Sequence, residues 1–115
     1  MKILFIDFVN IDSSPTAEEV IRQNYPDIET RSAATSRSGR TRLNKELIMW
    51  ADVILCMENY HKAEIKKAFE SIIAGKTIGI LNIKDTYNYM DPELVEQIKE
   101  KFAAWLNEYK TSKSQ

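Results

Sequence analysis

Strand-like and helix-like segments alternate along this chain, and the alternation restricts the possible folds more than any other feature. Four short segments rich in apolar and β-branched residues predict strands, at residues 2–7, 28–35, 52–57 and 76–83. Segments with helical spacing of apolar residues follow each of them. Because strand–helix–strand units connect parallel neighbours through right-handed crossovers, the order predicts an α/β fold with a parallel sheet.

The helix ends are indicated by capping residues. Ser14 is a candidate N-cap before Pro15, and Asp91 precedes Pro92 in the same way. Gly75 is expected to end the third helix, because glycine readily adopts the left-handed conformation found there.

Bulk composition favours one soluble domain. The 115 residues are 43% hydrophobic and 29% charged, which fits a packed core. We expect residues 1–110 to form the domain and residues 111–115 a frayed tail. A net charge of -1 gives no general attraction to nucleic acid, and no apolar run reaches the roughly 20 residues of a membrane span. No signal peptide is recognised after Met1, so the predicted location is cytoplasmic.

The loop at residues 7–14 is the first place to expect a site. Ligands of parallel sheets bind where strands end, and a strand-to-helix turn exposes amides that attract anions. This loop, however, contains Asp7 and Asp12 but no glycine, arginine or lysine. We therefore expect its amides to bond to its own carboxylates in place of a bound anion.

Four stretches carry a resemblance to a known family. They are "MKILFI…NI…SPTAE", "RSAATS", "WADVILCMENYHK" and "DTYNYMDPELVE". The chain resembles the low-molecular-weight protein tyrosine phosphatases, and is most similar to a compact bacterial branch of them. The resemblance covers nearly the whole chain. It implies a three-layer α/β sandwich with a four-stranded parallel sheet in the order 2-1-3-4.

The resemblance also implies where catalysis would occur. In the family, a Cys-x5-Arg-Ser loop follows strand one: the thiolate attacks phosphorus, the arginine holds the phosphoryl oxygens, and a later Asp protonates the leaving group. Carried onto this sequence, the nucleophile position is Asp7 and the arginine position is Ser13. Asp85 matches the general acid.

Other positions of the family's binding crevice are partly retained. Asn10, which braces the loop, and Ser14, which bonds the thiolate, are present. Asp12 replaces a second cysteine of the family. Tyr87 and Tyr89 stand where aromatic residues line the phosphotyrosine slot.

The two substitutions lead to the predicted function. An arginine binds a phosphoryl group through a charged, two-pronged fork, which Ser13 lacks. The chain is therefore predicted to be an inactive pseudophosphatase that binds or regulates a protein or small molecule, without a cofactor. One alternative is a metal-assisted or aspartyl phosphohydrolase, with Asp7, Asp12 and Asp85 as carboxylates for Mg²⁺ or Ca²⁺. Another is a purely structural interaction module.

Three further features have simpler interpretations. Cys56, the single cysteine, is predicted to be a buried strand residue. His61 is interpreted as structural or as a surface residue, because it has no partner histidine or cysteine for a metal site. The arginines of a loop after the second strand either bind a polyanion or are solvated, and they are Arg37, Arg40 and Arg42.

Overall fold

The computed structural model describes residues 1–113 and contains the predicted parallel sheet. Its strands are β1 (Lys2–Asp7), β2 (Glu29–Ala34), β3 (Val53–Cys56) and β4 (Thr77–Ile80). They lie in the order β2-β1-β3-β4, and every neighbouring pair is parallel. The fold class and the strand order expected from the sequence are both confirmed.

Four helices cover the two faces of the sheet. They are α1 (Ser13–Asn24), α2 (Lys45–Trp50), α3 (Asn59–Ile73) and α4 (Pro92–Lys113). One core cluster combines strand residues with α1 and α4, and the other combines them with α2 and α3. The result is the predicted three-layer sandwich.

The central strand β1 explains why its sequence is almost continuously apolar. Ile3 and Phe5 belong to the cluster under α1 and α4, while Leu4 and Ile6 belong to the opposite cluster. Successive side chains of a strand point to opposite faces, and both faces of this strand are covered by helices. Burial of these four side chains fixes the register of β1 and so positions Asp7 at its end.

The start of α1 differs from the prediction. The helix begins at Ser13, so Ser14 is its second residue and not its N-cap. Asp12 occupies the N-cap position, but its side chain makes no capping hydrogen bond. The Ser14 amide instead donates to the carboxylate of Asp7, which reaches it from the end of β1. A residue distant in sequence thus performs the capping role expected of Ser14.

Two other helix ends are as predicted. Gly75 has a φ of 84° just after α3, which is the left-handed conformation expected of a terminating glycine. At the start of α4, the Glu93 amide donates to Asp91 Oδ1 at 2.9 Å, so Asp91 is the cap.

Helix α4 is longer than expected at its carboxyl end. It includes residues 111–113, which were predicted to belong to a frayed tail. Thr111 Oγ1 donates to the Asn107 carbonyl at 2.9 Å, and Lys113 Nζ lies over the Tyr109 ring, so side chains continue the helical contacts there. The last two positions of that predicted tail, 114 and 115, lie outside the described residues. Within residues 1–113, no helix is long and apolar enough to cross a membrane.

Candidate functional site

Two segments that follow strands meet at the carboxyl edge of the sheet. The loop after β1 and the first turn of α1 contact the segment after β4 through three hydrogen bonds between residues far apart in sequence. The first residues of α3, after β3, lie nearby as well. The charges of Asp7 and Asp85 are close enough to act on the pKa of Tyr60 and of His61. The region predicted from the sequence to hold the site is therefore a real junction of elements.

The carboxylate of Asp7 fills the position that the loop surrounds. Its side chain is 1% exposed. Asn10 N donates to Oδ1 at 2.6 Å, and Ser14 N donates to Oδ2 at 2.9 Å. Both oxygens thus accept loop amides, as the sequence of this loop led us to expect. The acceptor that these amides need is thus supplied by the chain itself.

Asn10 holds the turn of the loop. Its φ of 57° places it in the left-handed region, which asparagine tolerates better than most residues. Its side-chain Nδ2 donates to Ser14 Oγ at 2.9 Å, and both residues are buried. The bracing contact implied by the family resemblance is therefore present around Asp7.

Burial and hydrogen bonding act in opposite directions on Asp7. Desolvation raises its pKa above the ordinary value, and the nearby charge of Asp85 raises it slightly more. The hydrogen bonds from Ser14 and Asn10 lower the pKa but do not cancel the effect of burial. The ionised carboxylate is thus less favourable here than in water.

Ser13 and Asp85 contact each other. Ser13 is fully buried, and its Oγ donates to Asp85 Oδ1 at 3.2 Å, while Asp85 itself is exposed. The positions that resemble the family's arginine and general acid are thus adjacent in space. The hydroxyl supplies one neutral donor, so the carboxylate of Asp85 gains no cationic partner from this position.

The side chain of Asp12 attaches the segment after β4 to the loop after β1. Its Oδ1 accepts the Tyr89 amide at 2.8 Å. Thr16 Oγ1 donates to the Asp12 carbonyl at 2.7 Å and accepts the Met90 amide at 2.9 Å. Sequence reasoning did not identify Thr16. Its only signal was a hydroxyl four residues after a loop aspartate, a spacing typical of side-chain bonds to backbone carbonyls.

The two tyrosines proposed for the crevice have different surroundings. Tyr89 is 51% exposed. Tyr87 is half-buried against the core, and its hydroxyl accepts a hydrogen bond from Gln97 Nε2 at 2.5 Å.

Two exposed aromatic residues at this edge were not identified from the sequence: Phe8, just after β1, and Tyr60, at the start of α3. Partial burial raises the pKa of Tyr60, and so do neighbouring carboxylates, which include Asp85.

The three aspartates do not form a set of metal ligands. Among residues 1–113, no group of three or more His, Cys, Asp or Glu residues is placed to hold a metal ion. Asp7 faces inward to the loop amides, whereas Asp12 bonds to the Tyr89 backbone. The convergence that the metal-assisted alternative requires is absent from this part of the chain.

The remaining candidates lie apart from the loop's centre. Cys56 is buried, and desolvation raises the pKa of its thiol to about 12, so the thiol stays protonated at neutral pH. His61 is also buried, which lowers its pKa.

The three arginines of the loop after β2 are all exposed. The Arg40 amide donates to the Val9 carbonyl at 2.8 Å, which attaches the loop after β2 to the loop at residues 7–14, the site loop.

Comparison with known proteins gives matches at the level of structure. No family model matches the sequence, and no curated protein sequence matches it significantly. The tyrosine phosphatase Wzb from Escherichia coli K30, solved in complex with phosphate, is 18% identical with a TM-score of 0.77; the match covers 93% of this chain and 96% of that one.

Two further solved structures agree with it. The low-molecular-weight protein tyrosine phosphatase SP-PTP from Streptococcus pyogenes is 16% identical over 93% of this chain and 91% of that one, with a TM-score of 0.75. The YwlE arginine phosphatase from Geobacillus stearothermophilus is 22% identical over 96% of both chains, with a TM-score of 0.66. Together with the sheet order, these matches show that the chain has the fold of the low-molecular-weight protein tyrosine phosphatases.

Proposed function

We propose that this chain is a pseudophosphatase: a catalytically inactive protein with a phosphatase fold, which binds or regulates a partner through the altered crevice. The observation that carries the proposal is the hydrogen bonding of Asp7. Its carboxylate accepts the amides of Asn10 and Ser14, at the position matching the family's nucleophile. An anionic phosphoryl group would have to displace this internal anion and would meet its repulsion.

The position of Ser13 supports the same conclusion. Phosphoryl transfer depends on preorganised positive charge at the transferring oxygens, and an arginine normally supplies it in this fold family. Here a buried hydroxyl occupies that position and bonds to Asp85. The loop from Asp7 to Ser14 contains no basic side chain, so neither a phosphate ester nor its transition state has a cationic clamp within it.

An aspartyl-phosphate mechanism is less well supported. A carboxylate nucleophile needs an accessible oxygen and a metal or basic group to hold the phosphate. Both oxygens of Asp7 accept amides, and the side chain is 1% exposed. The purely structural alternative differs from our proposal only in lacking a ligand for the crevice, and a binding measurement separates the two.

The decisive experiment is hydrolysis of para-nitrophenyl phosphate by the purified protein, with and without Mg²⁺, Mn²⁺ or Ca²⁺. Thermal-shift measurements with the same ions and with inorganic phosphate accompany it. We expect no turnover and no stabilisation by any of them. Metal-dependent turnover that disappears in both Asp7→Asn and Asp12→Asn would overturn the proposal and identify the acidic loop as an active site.

A further inference from the structure

Exposed apolar side chains are concentrated around the altered crevice. Of the seven large hydrophobic residues exposed among residues 1–113, five lie at the carboxyl edge of the sheet, on the loop after β1, the start of α3 and the segment after β4. We call these five residues the apolar rim: Phe8 (45% exposed), Ile11 (52%), Tyr60 (46%), Tyr89 (51%) and Met90 (36%).

Hydrogen bonds hold most of the apolar rim in place. The Tyr89 amide donates to Asp12 Oδ1, which ties Tyr89 to the loop that carries Ile11. Ile11 and Tyr89 line one groove. The Met90 amide is held by Thr16 Oγ1 in the first turn of α1. An exposed apolar group on a fixed backbone loses little entropy on binding, which is typical of interaction surfaces.

The charges beside the apolar rim are mainly negative. Asp85 is exposed, and its Oδ1 accepts one hydrogen bond, from the neutral hydroxyl of Ser13. Asp7 lies close enough for the charge of Asp85 to raise its pKa. Tyr60 stands in the field of both carboxylates and of Glu58. A cation placed next to Asp85 would therefore meet several attractive charges and an aromatic ring.

Two basic groups of this edge, Arg40 and Lys62, line grooves that do not include Asp85. Arg40 lies in a groove with Arg22, and Glu18 and Glu19 of the same groove balance their charge. Lys62 lines a separate groove beside β4. Lys84 is the one base in the segment after β4, and it is exposed next to Asp85.

We propose that the apolar rim docks a protein segment that presents a lysine or arginine between apolar residues, with the basic end group at Asp85. Charge complementarity selects this occupant: the apolar rim takes the flanking side chains, and the carboxylate takes the cation. The inference rests on the proposed function, because a loop that retained a phosphate-clamping arginine would repel the same cation.

Backbone amide chemical shifts in an NMR titration test this inference on the intact protein. The probe is the peptide acetyl-Phe-Arg-Leu-amide. Two matched peptides serve as controls: one has citrulline in place of arginine, which removes the charge, and the other has glycine on both sides of the arginine, which removes the apolar groups. Asp85→Asn is the test variant. Asp27→Asn is the control variant, because Asp27 is exposed before β2, at the opposite edge of the sheet.

We expect saturable shifts at residues 8–14 and 85–90 with the arginine peptide. Loss of an exposed charge pair should weaken binding about three- to fivefold, both with citrulline and in Asp85→Asn, and not in Asp27→Asn. Equal binding of the citrulline peptide, an unchanged affinity in Asp85→Asn, or no shifts in these segments would overturn the inference. None of these results bears on catalysis, whereas turnover of para-nitrophenyl phosphate would refute the inactive state itself.

Discussion

The backbone amide of Ser14 donates to Oδ2 of Asp7 at 2.9 Å, across a loop of six intervening residues. This bond joins the end of the central strand to the first turn of α1. Amides at a helix N-terminus need an acceptor, and in a working phosphatase loop the substrate is available to provide it. Here the acceptor is part of the chain, so the shape of the loop does not depend on a ligand.

Asp7→Asn should destabilise the fold by about 1–2 kcal/mol at neutral pH. An asparagine has one acceptor oxygen, and its NH₂ group cannot accept from an amide, so either Asn10 N or Ser14 N loses its partner. Urea denaturation of wild type and variant measures the difference. Asp12→Asn is the control, because Asp12 is half-buried, accepts the Tyr89 amide and keeps one oxygen to do so. A variant as stable as wild type would mean that the two amides do not need both oxygens of the Asp7 side chain.

The stability difference between wild type and Asp7→Asn should also depend on pH. Because burial raises the pKa of Asp7, the folded protein binds this proton more tightly than the unfolded chain. The free energy of unfolding contributed by Asp7 is then greatest below the unfolded pKa of about 4, and it falls as pH rises through the folded pKa. Urea midpoints of both proteins from pH 4 to 8 test the sign. If the stability of wild type relative to Asp7→Asn increased with pH, the pKa of Asp7 would be lowered by folding and not raised.

The elements that were predicted well are those whose signals are local. The apolar run of β1 and the cap formed by Asp91 are encoded in adjacent residues, and both are present in the structure. The start of α1 was misplaced by two residues because its capping acceptor, Asp7, is distant from Ser14 in sequence. Local capping rules recognise Ser and Pro before a helix, but they do not detect a carboxylate that arrives from a strand.

The same difference between local signals and contacts of distant residues applies to the site. The resemblance brought Asp7, Ser13 and Asp85 into one crevice, and the structure places Ser13 against Asp85. The directions of Asp12 and Tyr87 could not be predicted, because each depends on a partner in another segment, the Tyr89 amide and Gln97 respectively. Tyr60 was missed although it lies in one of the stretches that carry the resemblance, because its position beside the carboxylates of other segments depends on the fold and not on adjacent residues.

Asp7→Cys alone should give no measurable hydrolysis of para-nitrophenyl phosphate. The new thiol restores a nucleophile, but Ser13 leaves the transferring oxygens without a positive charge. Asp7→Cys combined with Ser13→Arg should recover a small, measurable rate, because the double variant restores both groups. Ser13→Arg alone is the matched control and should be inactive. Robust turnover by Asp7→Cys alone would show that another residue already performs the arginine's role.

Gly39→Ala should destabilise the protein by about 1–3 kcal/mol, because the loop after β2 is packed directly against the site loop. A Cβ at position 39 would lie 2.3 Å from Ala34 Cβ and 3.1 Å from the Val9 carbonyl oxygen. The loop can relieve this overlap only by moving away, which strains the bond from the Arg40 amide to Val9. Urea denaturation measures the loss, with Ser38→Ala as the control, since Ser38 is exposed and its contacts are with Ser36. Equal stability of the two variants would mean that the two loops are not coupled in this way.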